Sequence, residues 1–128
     1  MIPVDQTTFY DPEIPGNGNC TEAAVASILG IPLSDVPKFY TGAGAYDFWE
    51  RFEDFFVERG YFPVRRSPSE PRYDLFYLAS GPAERGCDHM VVMRGNELAH
   101  DPHPSRAGLI SVTHTWLIVL ADAAKQAA

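Results

Sequence analysis

Between Thr21 and Leu29 the chain reads TEAAVASIL, an alanine-rich stretch in which Ala24, Val25, Ile28 and Leu29 recur at three- and four-residue spacing. This predicts a helix buried on most of its sides, opening at Cys20 and stopped by Gly30 and Pro32. A second helical period runs from Ala45 to Arg59, with Phe48, Trp49, Phe52, Phe55 and Phe56 on one face and Glu50, Arg51, Glu53, Asp54 and Glu58 on the other. Such an aromatic stripe reads as core rather than as a ligand groove, and Gly60 ends it. Beyond that point the pattern changes to that of strands: Tyr61 to Val64, Leu75 to Ala79, His89 to Arg94, Glu97 to His100 and Trp116 to Leu120. Gly81-Pro82 and Gly95-Asn96 are expected as turns between them. The stretch Met93 to Glu97 predicts a tight hairpin that sets Asp101 beside the start of the preceding strand. Two helices followed by an antiparallel sheet define an α+β fold. Residues 1–19, with Pro3, Pro12, Pro15, Gly16 and Gly18, read as an irregular arm, and residues 121–128 as a frayed tail.

The length of 128 residues and the hydrophobic content of 45% fit one domain spanning residues 1–128 with a real core. A formal net charge of -7 argues against nucleic acid or an anionic membrane as partner, because the basic stripe such binding needs is missing. Arg65 and Arg66 form too small a patch to change that. The N-terminal residues lack a signal-peptide layout, and no apolar run approaches the roughly 20 residues of a membrane span. Cys20 and Cys87 make no disulfide framework and are read as reduced, so a cytoplasmic location is expected.

A catalytic thiol must ionise near neutral pH, and a place on the first turn of a helix beside an imidazole favours that. Cys20 has the helix start, and the open Gly16-Asn17-Gly18-Asn19 approach offers backbone amides to a developing oxyanion. The competing reading of Cys20 is a small hydrophobe in the core. His89, at the mouth of a strand, would hold its imidazole rigidly, and Asp101, across the predicted hairpin and followed by Pro102, is positioned to fix its tautomer.

The Gly18-Asn19-Cys20 helix start, the Asp88-His89-Met90-Val91-Val92 strand and the following Asp101-Pro102 resemble the papain-like cysteine peptidases, above all their bacteriocin-processing branch. Val4-Asp5-Gln6-Thr7, Gly18-Asn19-Cys20 and His100-Asp101-Pro102-His103-Pro104-Ser105 together resemble a group of short bacterial and phage proteins of the same clan. The resemblance implies a papain-like fold with Cys20 as nucleophile, His89 as general base and then acid, and Asp101 as orienting group. In that clan a glutamine a few residues before the cysteine donates to the oxyanion. Here Gln6 stands much further upstream, so the segment Phe9 to Pro15 would have to loop out, and Asn17 and Asn19 are nearer substitutes.

His100, Asp101 and His103 with His89 carry ligand types suited to zinc or iron, but lack the fixed helical spacing of a metal motif. No metal and no cofactor is expected. His100 and His103 are read as supporting or substrate-facing residues, His114 as a surface residue, and Cys87 as structural although alternation puts it on the side of His89. Two functional classes stay open. One is a thiol hydrolase or acyltransferase acting on a peptide or protein substrate through an acyl-enzyme. The other is a papain-like binding module, such as a phage-encoded inhibitor or host-interaction protein, whose triad is idle.

Overall fold

The computed structural model describes residues 1–70 and 74–122. Helix α1 spans Cys20–Leu29 and helix α2 spans Ala45–Glu58, with a single 3-10 turn at Leu33–Asp35 between them. Five strands follow: β1 (Tyr61–Arg66), β2 (Phe76–Pro82), β3 (Asp88–Arg94), β4 (Glu97–His100) and β5 (His114–Leu120). They form one sheet in the order β1-β5-β2-β3-β4, and every pairing is antiparallel. The protein is therefore α+β, with two helices on an antiparallel five-stranded sheet.

Helix α1 ends where Gly30 turns into the left-handed region (φ 68°), and its N–H reaches back to the carbonyls of Ala26 and Ser27. Thr21 through Ser27 are all buried, because α1 packs along β3 and β2 while the N-terminal arm crosses its outer side. The arm is held there by Ile2 N–H donating to Ser27 O (2.9 Å) and Val4 N–H donating to Ser27 Oγ (2.9 Å). No helix or strand forms within residues 1–19. The aromatic face of α2 enters the core: Phe52, Phe55 and Phe56 are buried, and Phe39 meets Phe48 and Phe52 edge to face. Trp49 stays partly exposed and stacks on Trp116 of β5 at 5.2 Å between ring centroids.

Gly81-Pro82 does not turn the chain. Both residues belong to β2, opposite His89 and Asp88 of β3, and the turn lies further on, where Ala83 N–H donates to Cys87 O (2.9 Å). The reason is packing on the second face of the sheet. The chain after β4 crosses back over β2, with Ile110 N–H on Pro82 O and Thr113 N–H on Ser80 O (each 2.8 Å). A Cβ on Gly81 would stand 1.9 Å from Ser111 O, so glycine here makes room for a neighbouring backbone and not for a turn. Leu109 and Val112 of this crossing segment pack on Tyr77, Ala79 and Val91 and close a second, smaller core. The tail expected to fray lies, after Asp122, outside the described residues.

Candidate active site

Cys20 is the first residue of α1, so its backbone N–H has no acceptor within the helix. His89 is the second residue of β3, and Asp101 follows the last residue of β4. The β3–β4 hairpin, turned at Gly95-Asn96, brings the last two together: His89 Nε2 lies 2.6 Å from Asp101 Oδ1, with both side chains buried. Asp88 is exposed, and the carboxylate beside His89 is that of Asp101.

Asp101 is only 1% exposed, a position that a carboxylate occupies only when its oxygens are satisfied. Oδ1 takes the His89 ring and the His103 N–H (2.9 Å), and Oδ2 takes the Gly108 N–H (2.8 Å). Burial alone would raise its pKa. The His89 hydrogen bond and the two backbone donors outweigh that and lower it to about 2. Burial likewise pushes His89 down, but hydrogen bonds to Asp101 and to Cys20, with the charges of both, raise it to about 9. An imidazole in this setting holds its proton at neutral pH and sits hydrogen-bonded to the Cys20 side chain.

Cys20 and His89 open onto a cavity of about 300 Å³ whose other lining residues include Gln6, Phe9, Tyr10, Arg85 and His103. Gln6 is buried and reaches the cavity because the segment after it does loop out. Gln6 Nε2 donates to Thr8 O (2.9 Å), Asn19 N–H donates to the same carbonyl (3.3 Å), and Asn17 Nδ2 donates to Phe9 O (2.8 Å). Gln6 Oε1 is buried with no partner among the described residues. Asn19 is placed elsewhere. Its Oδ1 accepts from the N–H groups of Thr7 and Thr8 and its Nδ2 donates to Thr7 Oγ1, so its amide fastens the arm and does not line the cavity. Asn17 is spent in the same way on Phe9.

The two further histidines of the His100–His103 stretch part company. His100 Nε2 lies 2.9 Å from Val4 O and 3.2 Å from Asp5, on the far side of the arm. His103 lines the cavity, its ring edge-on to those of His89 (6.3 Å) and Phe9 (5.4 Å). Its Nδ1 accepts the Ser105 N–H (3.0 Å), which leaves the ring proton on Nε2, and burial with the nearby Arg85 lowers its pKa. His114 is exposed. Cys87 lines the same cavity as Cys20, which its alternation with His89 foreshadowed. The sequence patterns held no sign of Phe9, Tyr10 or Arg85, which lie in irregular segments that no periodicity marks. The chain matches no protein-family model, no curated protein and no solved structure.

Proposed function

We propose that this protein is a papain-like cysteine hydrolase acting on a peptide or isopeptide bond. The observation that carries the reading is a buried, carboxylate-bonded His89 whose ionisation is coupled to Cys20 within one open cavity. Nε2 is occupied by Asp101, so Nδ1 is the ring nitrogen left to exchange a proton with the thiol.

In the proposed reaction Cys20 and His89 stand as a thiolate–imidazolium pair, the thiol proton resting on His89, and the sulfur attacks the scissile carbonyl carbon. The carbonyl oxygen takes up the negative charge as the C–S bond forms. The Cys20 backbone N–H and the second amide hydrogen of Gln6 Nε2 are its candidate donors, since Gln6 is the side-chain amide that lines the cavity. Collapse breaks the C–N bond, and His89 protonates the departing amine. Water, losing a proton to His89, then displaces the sulfur and releases the carboxylic acid. Asp101 remains ionised throughout, as its depressed pKa requires.

Brief treatment with iodoacetamide at neutral pH, followed by peptide mass spectrometry, tests this. Cys20 is expected to label at least tenfold faster than Cys87, and the difference should collapse in His89→Ala. Equal labelling of the two thiols in the unsubstituted protein overturns the hydrolase reading in favour of a binding module.

A further inference from the structure

We infer that Arg85 makes the cavity a site for substrates bearing a carboxylate close to the scissile carbonyl, an inference that rests on Cys20 being the nucleophile. Arg85 sits in the β2–β3 turn, which is closed by Ala83 N–H on Cys87 O (2.9 Å) and Gly86 N–H on Ala83 O (3.0 Å). It lines the cavity beside Cys20 and His89.

The other described arginines are engaged. Arg51, Arg66, Arg94 and Arg106 pair with Asp47, Glu70, Asp74 and Asp5, while Arg59 and Arg65 lie over the rings of Phe55 and Trp116. Among the described residues no carboxylate comes within ion-pair distance of Arg85. Its guanidinium makes a long contact from Nη1 to Ser105 Oγ (3.4 Å). That serine is also bonded to His103 Nδ1 (2.9 Å), so Arg85 and His103 are tied to one hydroxyl, and the ring proton on His103 Nε2 makes that nitrogen a donor. The guanidinium's planar fork matches the two oxygens of a carboxylate.

The local charge agrees. The whole chain carries 17 acidic against 10 basic residues. The cavity lining, by contrast, sets Arg85 against the single carboxylate of Asp88, while the charge of His89 is matched by Asp101, 2.6 Å from its ring. An anionic group entering the cavity leaves a repelling surface for one whose charges are balanced and whose guanidinium has no carboxylate partner among the described residues.

Two alkylating reagents that differ only in charge test this. The rates at which Cys20 is modified by iodoacetate and by iodoacetamide are measured by peptide mass spectrometry in the unsubstituted protein, in Arg85→Gln and in Arg85→Lys. The iodoacetate to iodoacetamide ratio is expected to fall about three- to tenfold in Arg85→Gln, the order of effect of removing one positive charge from the cavity lining in a partly solvated setting. Arg85→Lys should retain part of it, and added salt should compress the difference. The ratio, and not either rate alone, is the readout, because loss of the Arg85 charge bears on the thiolate under both reagents alike. An unchanged ratio in Arg85→Gln, with fast iodoacetamide labelling preserved, overturns the inference and leaves the hydrolase reading standing. Slow labelling of Cys20 by both reagents in the unsubstituted protein overturns that reading and this inference with it.

Discussion

Replacing Asp101 by asparagine separates the two things this carboxylate does, because it keeps the shape and removes both the charge and one acceptor. Three donors converge on Asp101: the His89 ring at 2.6 Å, the His103 N–H at 2.9 Å and the Gly108 N–H at 2.8 Å. An amide offers a single oxygen. If that oxygen stays with His89 and His103, the new NH2 group confronts the buried Gly108 N–H, and a buried donor without a partner costs about 1–3 kcal/mol. At on the order of 5 °C per kcal/mol for a domain of this size, melting should fall by roughly 5–15 °C. The effect on His89 is separate. A hydrogen bond to an ionised group contributes roughly 1.5–3 kcal/mol, which corresponds to about one to two pH units of imidazole titration. His89 therefore starts at about 9 and should titrate at least one pH unit lower in Asp101→Asn, since burial continues to oppose its charge. NMR titration of the ring nitrogens reads this directly, and calorimetry reads the stability. A His89 midpoint that stays near 9 together with an unchanged melting temperature would refute both roles of the Asp101 carboxylate.

The pH dependence of stability follows from the same pair. His89 has its pKa raised from 6.5 to about 9, so its contribution is whole below 6.5 and is lost as pH rises through 9. Asp101 has its pKa lowered from 3.8 to about 2, so its contribution is whole above 3.8 and is lost as pH falls through 2. Urea midpoints should peak between these limits, and a rise in stability from pH 6.5 to 9 would contradict the assignment. Gly81→Ala sets a methyl group against Ser111 O and should destabilise by about 1–3 kcal/mol, visible in the melting temperature. Melting unchanged within error would show that the crossing segment does not press on β2. Asn19→Ala removes three hydrogen bonds to Thr7 and Thr8, so amide exchange at those two residues should quicken more than tenfold while β3 stays protected. Uniform protection would mean that the arm is held by other contacts.

Both helices and the β3–β4 hairpin are legible in the sequence because their signals are local: an alanine-rich apolar period, an aromatic stripe, and a Gly95-Asn96 turn between alternating runs. The nearness of Asp101 to His89 follows from that hairpin alone. What the sequence hides is set by distant partners. The insertion of β5 between β1 and β2 depends on pairing between strands far apart in the chain, and Gly81 sits in a strand because a segment some thirty residues later crosses it. The place of Gln6 depends on side chains such as Asn17 and Asn19 bonding to the arm's own backbone, which leaves no periodic trace. Arg85 is a turn residue whose meaning comes from what lies opposite.

The N-terminal arm carries a consequence for the order of events as the chain is made. Val4 is bonded to His100 across 96 residues, Asp5 to Arg106 across 101, and Gln6 N–H to Pro102 O. Contacts so distant in sequence form late, since loop closure must come before they can hold. A ribosome exposes Cys20 long before the segment that supplies Asp101 and the far ends of these clasps. During that interval the thiol has neither its imidazole nor its cavity wall. The surroundings of Cys20 are thus complete only once the chain through Gly108, whose N–H bonds Asp101, has emerged and folded back onto the arm.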